Sequence, residues 1–161
     1  SLGEGPAKTW EHGRYSAPYL RDSLLAAGAL CETLETATDW SNIGALKAAV
    51  TEALTTSLGE SGTPALVMCH VSHIYPTGAS LYFTVVAGQR GNPIEQWWAA
   101  KKAACDAIMA TGGTITHHHA VGADHRAWMR DEVGELGVQL LRAVKATLDP
   151  AGILNPGKLI P

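Results

Sequence analysis

The side chains with the clearest capacity for chemistry are three consecutive histidines, His117, His118 and His119, here called the histidine cluster. They follow a glycine pair and precede a predicted helix. Imidazole binds metals, donates hydrogen bonds to anions and exchanges protons near neutral pH. In an extended strand, His117 and His119 would point to one face and His118 to the other. Asp124 or His125 could supply a further metal ligand, but the spacing matches no zinc motif.

Three interpretations of the histidine cluster remain open from the residues alone. The cluster could hold a metal, could be a polar strand end with purely structural hydrogen bonds, or could form an anion or acid–base site. We favour the last, because several imidazoles can bind a phosphate or carboxylate and also move protons. Backbone amides at the start of the helix after Asp124 could hold the same anion. We therefore assign no metal ligands.

Two further side chains could join such a site. Tyr82 lies on the second strand of a predicted hairpin, where a half-buried tyrosine with a solvated hydroxyl is the structural alternative. Arg21 lies on the first predicted helix, and it could pair with a carboxylate or phosphate if it faces inward rather than into solvent. Spacing alone selects neither residue.

The composition restricts the class of protein. The chain has 161 residues, is 46% hydrophobic and carries a formal net charge of -3, which predicts one soluble globular domain. Scattered Lys and Arg residues form no basic stripe, so we expect no nucleic-acid partner. Cys31, Cys69 and Cys105 lie far apart in apolar stretches, which indicates unpaired thiols in a reducing, cytoplasmic setting. The sequence has no apolar run of membrane-spanning length and opens without a signal-peptide pattern.

Helical and extended patterns alternate along the first half of the chain. Residues 16–28 predict a short helix with a proline in its first turn. Residues 30–40 alternate in polarity and are rich in threonine, which favours a strand. From Asp39 or Ser41 to Gly59, apolar residues recur at three- and four-residue steps, as in an amphipathic helix.

The second half predicts a hairpin, a helix, a short strand and a final helix. Residues 65–87 form the hairpin around a turn that contains proline and glycine. Residues 92–113 contain a helix that begins at a proline and ends at the glycine pair. Residues 114–118 are β-branched and extended, and residues 129–148 form a long helix that ends before Pro150.

This order of elements predicts an α+β domain. Its central part follows the ferredoxin-like β-α-β-β-α-β order, with an antiparallel sheet and one extra helix at each end. Both crossing helices should pack on one face of the sheet and leave the other face free. The histidine cluster ends the last predicted strand. We assign residues 1–15 to a linker or truncated start and residues 16–161 to the domain.

Several segments together resemble a known family. Their residues are similar to the C-terminal, substrate-cap region of FAD-linked oxidases, and closest to the alkyldihydroxyacetonephosphate synthase branch of the vanillyl-alcohol oxidase type. The resemblance runs from about residue 14 to the end, and the histidine cluster is its most specific element. The segments are "SAPYLRD", "CETLETATDW", "CHVSHIYPTGASLYFTVVAG", "TITHHHAVGADHRAWM" and "LRAVKATLDPAGILNPGKLIP".

The resemblance implies a two-part FAD-dependent enzyme of which this chain is the cap. FAD would be bound mainly by an N-terminal flavin domain that is absent from this chain, so the fragment alone should be inactive. The synthase exchanges the acyl chain of acyl-dihydroxyacetone phosphate for a fatty alcohol in ether-lipid synthesis, with no net redox change. The implied partners are a small phosphate or 2-hydroxy acid substrate and the chain's own flavin domain. Peripheral membrane contact and a homodimer are compatible with the full-length enzyme.

The resemblance also assigns roles to individual residues. Tyr82 matches the tyrosine that removes the proton beside the substrate carbonyl, and positive charge from nearby histidines or Arg21 would make it a better base. The histidine cluster matches the histidines near the phosphate and the reacting carbon. Arg21 matches an arginine that binds substrate. Asn155, in "NPGK", is a candidate for a cofactor contact.

Two departures keep alternatives open. Ala120 stands where the motif often has glycine, and the tail "ILNPGKLIP" resembles that of bacterial hydroxyacid oxidases. One alternative is therefore the cap of an FAD-dependent D-2-hydroxyacid dehydrogenase, in which the histidines take the hydroxyl proton while a hydride leaves for the flavin. The alternative from another class is a non-catalytic ferredoxin-like module that binds an anion or a metal.

Overall fold

A computed structural model describes residues 3–161, which contain five α-helices, three strands and two short 3-10 helices, Trp40–Asn42 and Arg126–Trp128. No helix in this range has the length and apolar character needed to cross a bilayer. The longer elements, in chain order, are α1 (Gly5–Gly13), α2 (Ala17–Ala26), β1 (Ala29–Asp39), α3 (Ile43–Glu60), β2 (Ala65–Ser72), β3 (Gly78–Gly88), α4 (Pro93–Ala110) and α5 (Met129–Leu148).

The three strands form one antiparallel sheet in the order β1-β3-β2, with β3 in the centre. The hairpin predicted over residues 65–87 is the β2-β3 pair. In this register Tyr82 of β3 lies opposite Glu35 of β1 on one side and opposite His70 of β2 on the other. Directly paired residues point to the same face of a sheet, so these three side chains share a face.

The other face of the sheet is covered by α3 and α4, which also pack against each other. Leu46, Val50, Leu54 and Leu58 of α3 are buried at four-residue steps, as the apolar periodicity predicts. They meet Phe83, which is fully buried at the centre of β3. The expectation that both crossing helices pack on one face of the sheet is confirmed.

Local signals explain where α4 begins and ends. The side chain of Asn92 accepts a hydrogen bond from the amide of Ile94 (3.0 Å), which satisfies a donor at the start of the helix. The helix is followed by a glycine pair. A side chain at Gly113 would press against Leu46 and Thr36, so this glycine lets the chain cross the core closely.

The open face of the sheet, defined by Glu35, Tyr82 and their same-face neighbours, is flanked by α2. Arg21 of α2 lines one groove with Thr33 and Tyr82. Farther along this face, Leu66 of β2 is 59% exposed. The face thus has an uncovered region beside the groove, as the predicted arrangement requires.

The prediction of a fourth strand over residues 114–118 is wrong. This segment is irregular and lies along the outer edge of β1, where the amide of Thr114 donates to the carbonyl of Ala37 (3.0 Å). The Thr36 hydroxyl donates to the carbonyl of Thr114 (2.6 Å). The segment occupies the place of a fourth ferredoxin-like strand, but its later amides donate to the side chain of Glu35 and not to a strand backbone.

Two helices also differ from expectation. Residues 5–13 form α1 within the segment predicted as a linker, so two helices precede the sheet. The final helix was predicted as continuous, whereas Gly134 has a non-helical backbone (φ 72°, ψ 169°) that breaks α5 near its start. Glycine adopts this positive φ without a steric penalty, so the break costs little.

We expect the same chemical change to have opposite effects at two glycines. In Gly78→Ala, the new methyl group would collide with the carbonyl oxygen of Thr38, so the free energy of unfolding should fall by about 1–3 kcal/mol. In Gly59→Ala, the methyl group meets no atom within 4 Å, and the helix α3 should gain up to about 1 kcal/mol. Urea denaturation of both variants measures this, and an equal effect at both positions would contradict the assigned register.

Candidate active site

Glu35 lies at the centre of the candidate site. Its side chain is fully buried, and one carboxylate oxygen, Oε1, accepts hydrogen bonds from the Thr116 hydroxyl (2.6 Å) and from three backbone amides. The amides belong to His117 (2.6 Å), His118 (2.9 Å) and His119 (2.9 Å). The backbone of the whole histidine cluster is therefore anchored to one oxygen atom.

A second carboxylate holds the start of the same segment from the other side. Glu132 of α5 accepts hydrogen bonds from the Thr114 hydroxyl (2.5 Å) and from the amide of Ile115 (2.9 Å). Residues 114–119 are thus fixed between β1 and α5 by side chains. This arrangement replaces the strand ladder that the sequence predicted.

The hydrogen bonds keep Glu35 ionised. Burial raises the pKa of its carboxyl group, but the bonds from Thr116 and from the amides of the histidine cluster lower it more, to about 2 from an ordinary value of 4.5. A buried carboxylate with this pKa carries a full negative charge at neutral pH. The candidate site is built around that charge.

The second oxygen of Glu35, Oε2, faces the imidazole rings. It is buried and makes no hydrogen bond within the described residues. Nδ1 of His118 lies 3.2 Å away and Nδ1 of His117 lies 3.7 Å away. The negative charge therefore sits directly beside two of the three rings.

The rings of the histidine cluster touch one another, which corrects the expectation that His118 faces away. Nδ1 of His117 and Nδ1 of His118 are 3.0 Å apart, and the ring centroids of His118 and His119 are 4.8 Å apart. The alternation of a strand does not apply, because the segment is not a strand. Nε2 of His117 also lies 3.0 Å from the hydroxyl of Tyr75.

A fourth imidazole, His73, joins the cluster and was missed from the sequence. Its ring centroid is 4.8 Å from that of His118 and 5.2 Å from that of His117. Its backbone has a positive φ of 48°, which is uncommon outside glycine. His73 and Tyr75 both lie in the connection between β2 and β3, so a correct hairpin register was the only signal that could have placed them here.

Three of these rings are close enough to share a cation. His73, His117 and His118 each offer one nitrogen, and the three nitrogens lie within 4.8 Å of one another. Asp124 and His125, considered above as further ligands, do not join them. Asp124 pairs with Lys101 (2.7 Å), and Nδ1 of His125 lies 3.2 Å from the carbonyl of Ala120.

The structure brings Tyr82 to the histidine cluster, and it places Arg21 in the wall of a groove that Tyr82 also lines. The Tyr82 ring meets His119 edge-on with centroids 5.2 Å apart, and it lies nearly parallel to the His118 ring at 6.4 Å. Arg21 and Tyr82 line the same groove of ≈ 440 Å³ between α2 and the open face. The Arg21 guanidinium is half exposed and contacts Asp22 (3.3 Å), so it can turn to meet an anion.

Asn155 lies apart from these residues. It is exposed in the tail after α5 and has a positive φ of 46°. Its carbonyl accepts a hydrogen bond from the amide of Lys158 (3.3 Å), and its side chain makes none within residues 3–161. The structure gives it no contact with the histidine cluster.

The surroundings of His119 change the pKa of its imidazole. Burial lowers the pKa of His119, and the Glu35 carboxylate offsets this only in part. His119 is therefore neutral at physiological pH and can accept or donate one proton. Imidazoles, a tyrosine hydroxyl and an arginine that lines the same groove as the tyrosine form a set that can bind an anionic substrate and move a proton on it.

A family comparison identifies this domain. The model of "FAD linked oxidases, C-terminal domain" matches residues 3–159. The chain belongs to this family. The resemblance noted from the sequence motifs is thereby confirmed for nearly the whole chain, and the match includes α1.

Individual proteins of known name are also similar to this chain. The chain is 37% identical over 161 residues to an alkyldihydroxyacetonephosphate synthase of Dictyostelium discoideum. This alignment covers 99% of this chain and 26% of that protein. A solved structure of an alkyldihydroxyacetonephosphate synthase matches with a TM-score of 0.65 and 31% identity, over 92% of this chain and 24% of that one. The domain thus spans about a quarter of the length of these relatives.

A shorter match points to a different reaction class. A probable mitochondrial D-lactate dehydrogenase of Danio rerio is 42% identical over 52 residues, which are 32% of this chain and 10% of that protein. The Dictyostelium discoideum and Danio rerio proteins are eukaryotic, so they give no support to the bacterial origin that the tail of the chain suggested.

We expect the Glu35 charge to make stability depend on pH. Its folded-state pKa is depressed, so the unfolded state takes up the proton first as the pH falls. The stabilisation is present above pH 4.5 and is lost as the pH falls toward about 2. Wild type should therefore lose on the order of 2 kcal/mol more than Glu35→Gln between about pH 6 and pH 2.5 in urea denaturation. Parallel curves for the two proteins would contradict the assigned charge.

We expect the backbone after the histidine cluster to tolerate glycine but not a β-branched residue. Ala120 is exposed and has a φ of 65°, a left-handed conformation that costs an L-residue about 1–2 kcal/mol. Ala120→Val should lower the free energy of unfolding by at least about 1 kcal/mol, whereas Ala120→Gly should change it by less. Ala123→Val, also exposed in this loop, is the control and should stay within about 0.5 kcal/mol.

Proposed function

We propose that this domain is the substrate-binding cap of an FAD-dependent enzyme of the alkyldihydroxyacetonephosphate synthase type. The reaction would exchange the acyl chain of acyl-dihydroxyacetone phosphate for a fatty alcohol. The observation that carries the proposal is the contact of Tyr82 with the Glu35-anchored histidine cluster, next to a groove lined by Arg21. The identity to alkyldihydroxyacetonephosphate synthases over nearly the whole chain supports it.

The roles of the side chains follow from their chemistry. Arg21 would bind the substrate phosphate, because a guanidinium matches phosphate oxygens with paired hydrogen bonds. Tyr82 would take the proton beside the substrate carbonyl, and it needs nearby positive charge to act as a base. The imidazoles beside it can accept that proton and return it to the product.

The residues of the open face fit an enzyme that works on a flavin held by another part of the protein. The buried Oε2 of Glu35 is a hydrogen-bond acceptor beside the imidazole rings. Two hydrogen-bond donors, Arg21 and Tyr82, line an open groove that a flavin-binding part of the protein could cover. FAD, when bound, supplies a flat ring that can exchange electrons with a substrate carbon. We assign most of its contacts to the flavin-binding part, with Asn155 as a candidate contact from this domain.

A flavin-binding part of a longer protein is the partner we propose. The domain spans about a quarter of its relatives, which leaves most of their length for other functions. The helix α5 also leaves Leu136 (69%), Leu140 (60%) and Leu148 (74%) exposed, and contiguous apolar surface of this kind marks an interaction site.

We further propose that the complete enzyme acts in the cytoplasm on a small-molecule substrate and has no nucleic-acid partner. The scattered basic residues and the unpaired Cys31, Cys69 and Cys105 support these proposals. Peripheral membrane contact is compatible with a fatty alcohol substrate, and the enzyme could form a homodimer.

The second candidate is a cap of an FAD-dependent D-2-hydroxyacid dehydrogenase. The local match to a probable D-lactate dehydrogenase favours it. In that case the histidine cluster would take the hydroxyl proton of the substrate, and Arg21 would bind its carboxylate. The same side chains serve both reactions, so the substrate must be determined by experiment.

We expect the two candidates to differ in how the flavin-loaded full-length protein responds to substrates. A synthase should incorporate labelled fatty alcohol into acyl-dihydroxyacetone phosphate and release the fatty acid, without bleaching of the flavin absorbance. A dehydrogenase should bleach the flavin anaerobically when D-lactate or another 2-hydroxy acid is added. Absence of a flavin-binding segment from the reading frame that contains this chain would refute both and favour a binding module.

The role of Tyr82 is tested in the same assay. Tyr82→Phe removes the hydroxyl and keeps the ring, so kcat should fall by about 100-fold or more if the hydroxyl moves a proton. Tyr19→Phe is the matched control, because Tyr19 is 76% exposed on α2 and its rate should not change. Equal rates for both variants would remove Tyr82 from the mechanism.

A further inference from the structure

A buried, charged oxygen without a hydrogen bond lies beneath the histidine cluster. Oε1 of Glu35 accepts from four donors, whereas Oε2 makes no hydrogen bond within residues 3–161. An unpaired buried charge is costly, so a nearby group must compensate it. Nδ1 of His118, at 3.2 Å, is the nearest candidate donor, and Nδ1 of His117 is farther away at 3.7 Å.

The negative charge of Glu35, together with the contacts around it, points to one arrangement of the ring protons. An ionised carboxylate only accepts, so the proton must lie on Nδ1 of His118 for the contact with Glu35 to be favourable. Nδ1 of His117 lies 3.0 Å from Nδ1 of His118 and must then be the acceptor in that contact. With its Nδ1 unprotonated, neutral His117 carries its proton on Nε2 and donates it to the hydroxyl oxygen of Tyr75 (3.0 Å). The four groups form one consistent set of donors and acceptors.

We propose that Glu35 is a positioning residue that holds His118 in the tautomer with a proton on Nδ1. This tautomer leaves Nε2 of His118 unprotonated and able to accept a proton. Nε2 makes no hydrogen bond with another group in the part of the chain that the structure describes, so it is available to a substrate. The inference rests on the proposed function for the use of that proton, but the tautomer itself is a property of this chain.

The position of Glu35 in the sheet explains how the effect reaches the reacting groups. Glu35 lies opposite Tyr82 in the β1-β3 pair, and the His118 ring lies nearly parallel to the Tyr82 ring (21°). When Nε2 accepts a proton, the imidazolium is stabilised by the adjacent carboxylate, which stays ionised and takes no proton itself. One N–H bond forms on His118 while the donor loses its proton, and no electrons are transferred.

The direct test is nuclear magnetic resonance of the histidine rings in this chain. Long-range correlation of ring protons and ring nitrogens in the ¹⁵N-labelled protein distinguishes protonated from unprotonated nitrogens. At about pH 8.5, where ordinary histidines are neutral, the tautomer of His118 protonated on Nδ1 should exceed the other by about tenfold or more. The spectrum of His118→Gln assigns the signals. A wild-type His118 that carries its proton mainly on Nε2 overturns the proposal.

The variant Glu35→Gln reverses the sign of the interaction. Its carboxamide oxygen can still accept from Thr116 and from the amides, while its NH2 group now faces His118 and can only donate. Nδ1 of His118 must then accept, so the dominant tautomer should change to the one protonated on Nε2. A merely structural role for Glu35 would not reverse the tautomer.

Glu132→Gln is the matched control, because Glu132 holds the same segment through Thr114 and Ile115 without touching a histidine ring. The tautomer of His118 should be unchanged in this variant. If both variants shift the tautomer equally, loosening of the segment explains the effect and the proposal is overturned. If Glu35→Gln fails to fold, the wild-type spectrum still decides the question.

The outcome is separable from that of the proposed function. If His118 is protonated on Nδ1 and yet His118→Gln exchanges acyl and alkyl groups at the wild-type rate, the role of this histidine in the reaction fails while the tautomer assignment stands. If the tautomer is reversed in wild type, the positioning role of Glu35 fails, whatever activity the flavin-loaded enzyme shows.

Discussion

The hydrogen bonds from three consecutive backbone amides to the Glu35 carboxylate determine where the histidine cluster lies in the candidate site. Hydrogen bonds to a charged acceptor contribute about 1.5–3 kcal/mol each, and here they converge with the Thr116 hydroxyl on one oxygen. Amides that donate to one point cannot also donate to a neighbouring strand. The chain therefore leaves the edge of β1 at the histidine cluster and brings its rings together.

The two faces of the sheet carry different kinds of side chain. One face carries the apolar core with α3 and α4, which makes β1 and β3 a rigid support. The other face carries Glu35 and Tyr82, held side by side by the antiparallel register. Because the supporting strands are fixed by the core, the charged and titratable groups on the open face can be arranged for chemistry and not for packing.

The same architecture is compatible with more than one reaction of the FAD-linked oxidase C-terminal domain family. In the proposed function Tyr82 and the histidine cluster would move protons, and for this they need only a substrate with an acidic proton. Substrate choice would depend on the groove that Arg21 lines, since an arginine accepts either a phosphate or a carboxylate. This division agrees with the matches to proteins named as a synthase and as a dehydrogenase.

Local patterns in the sequence determined most of the elements: the helices α2 to α5, the strand β1 and the β2-β3 hairpin follow from apolar periodicity, prolines and glycines that act within a few residues. Residue types alone made the histidine cluster a candidate, and resemblance to a family supplied the reason to select Tyr82 and Arg21. Only the tertiary structure decided how they meet. The fourth strand failed because Glu35, 81 residues before Thr116, competes for the amides that a strand would use. His73 and Tyr75 join the site through the hairpin register, and no short-range pattern encodes a contact between side chains brought together by the pairing of distant segments.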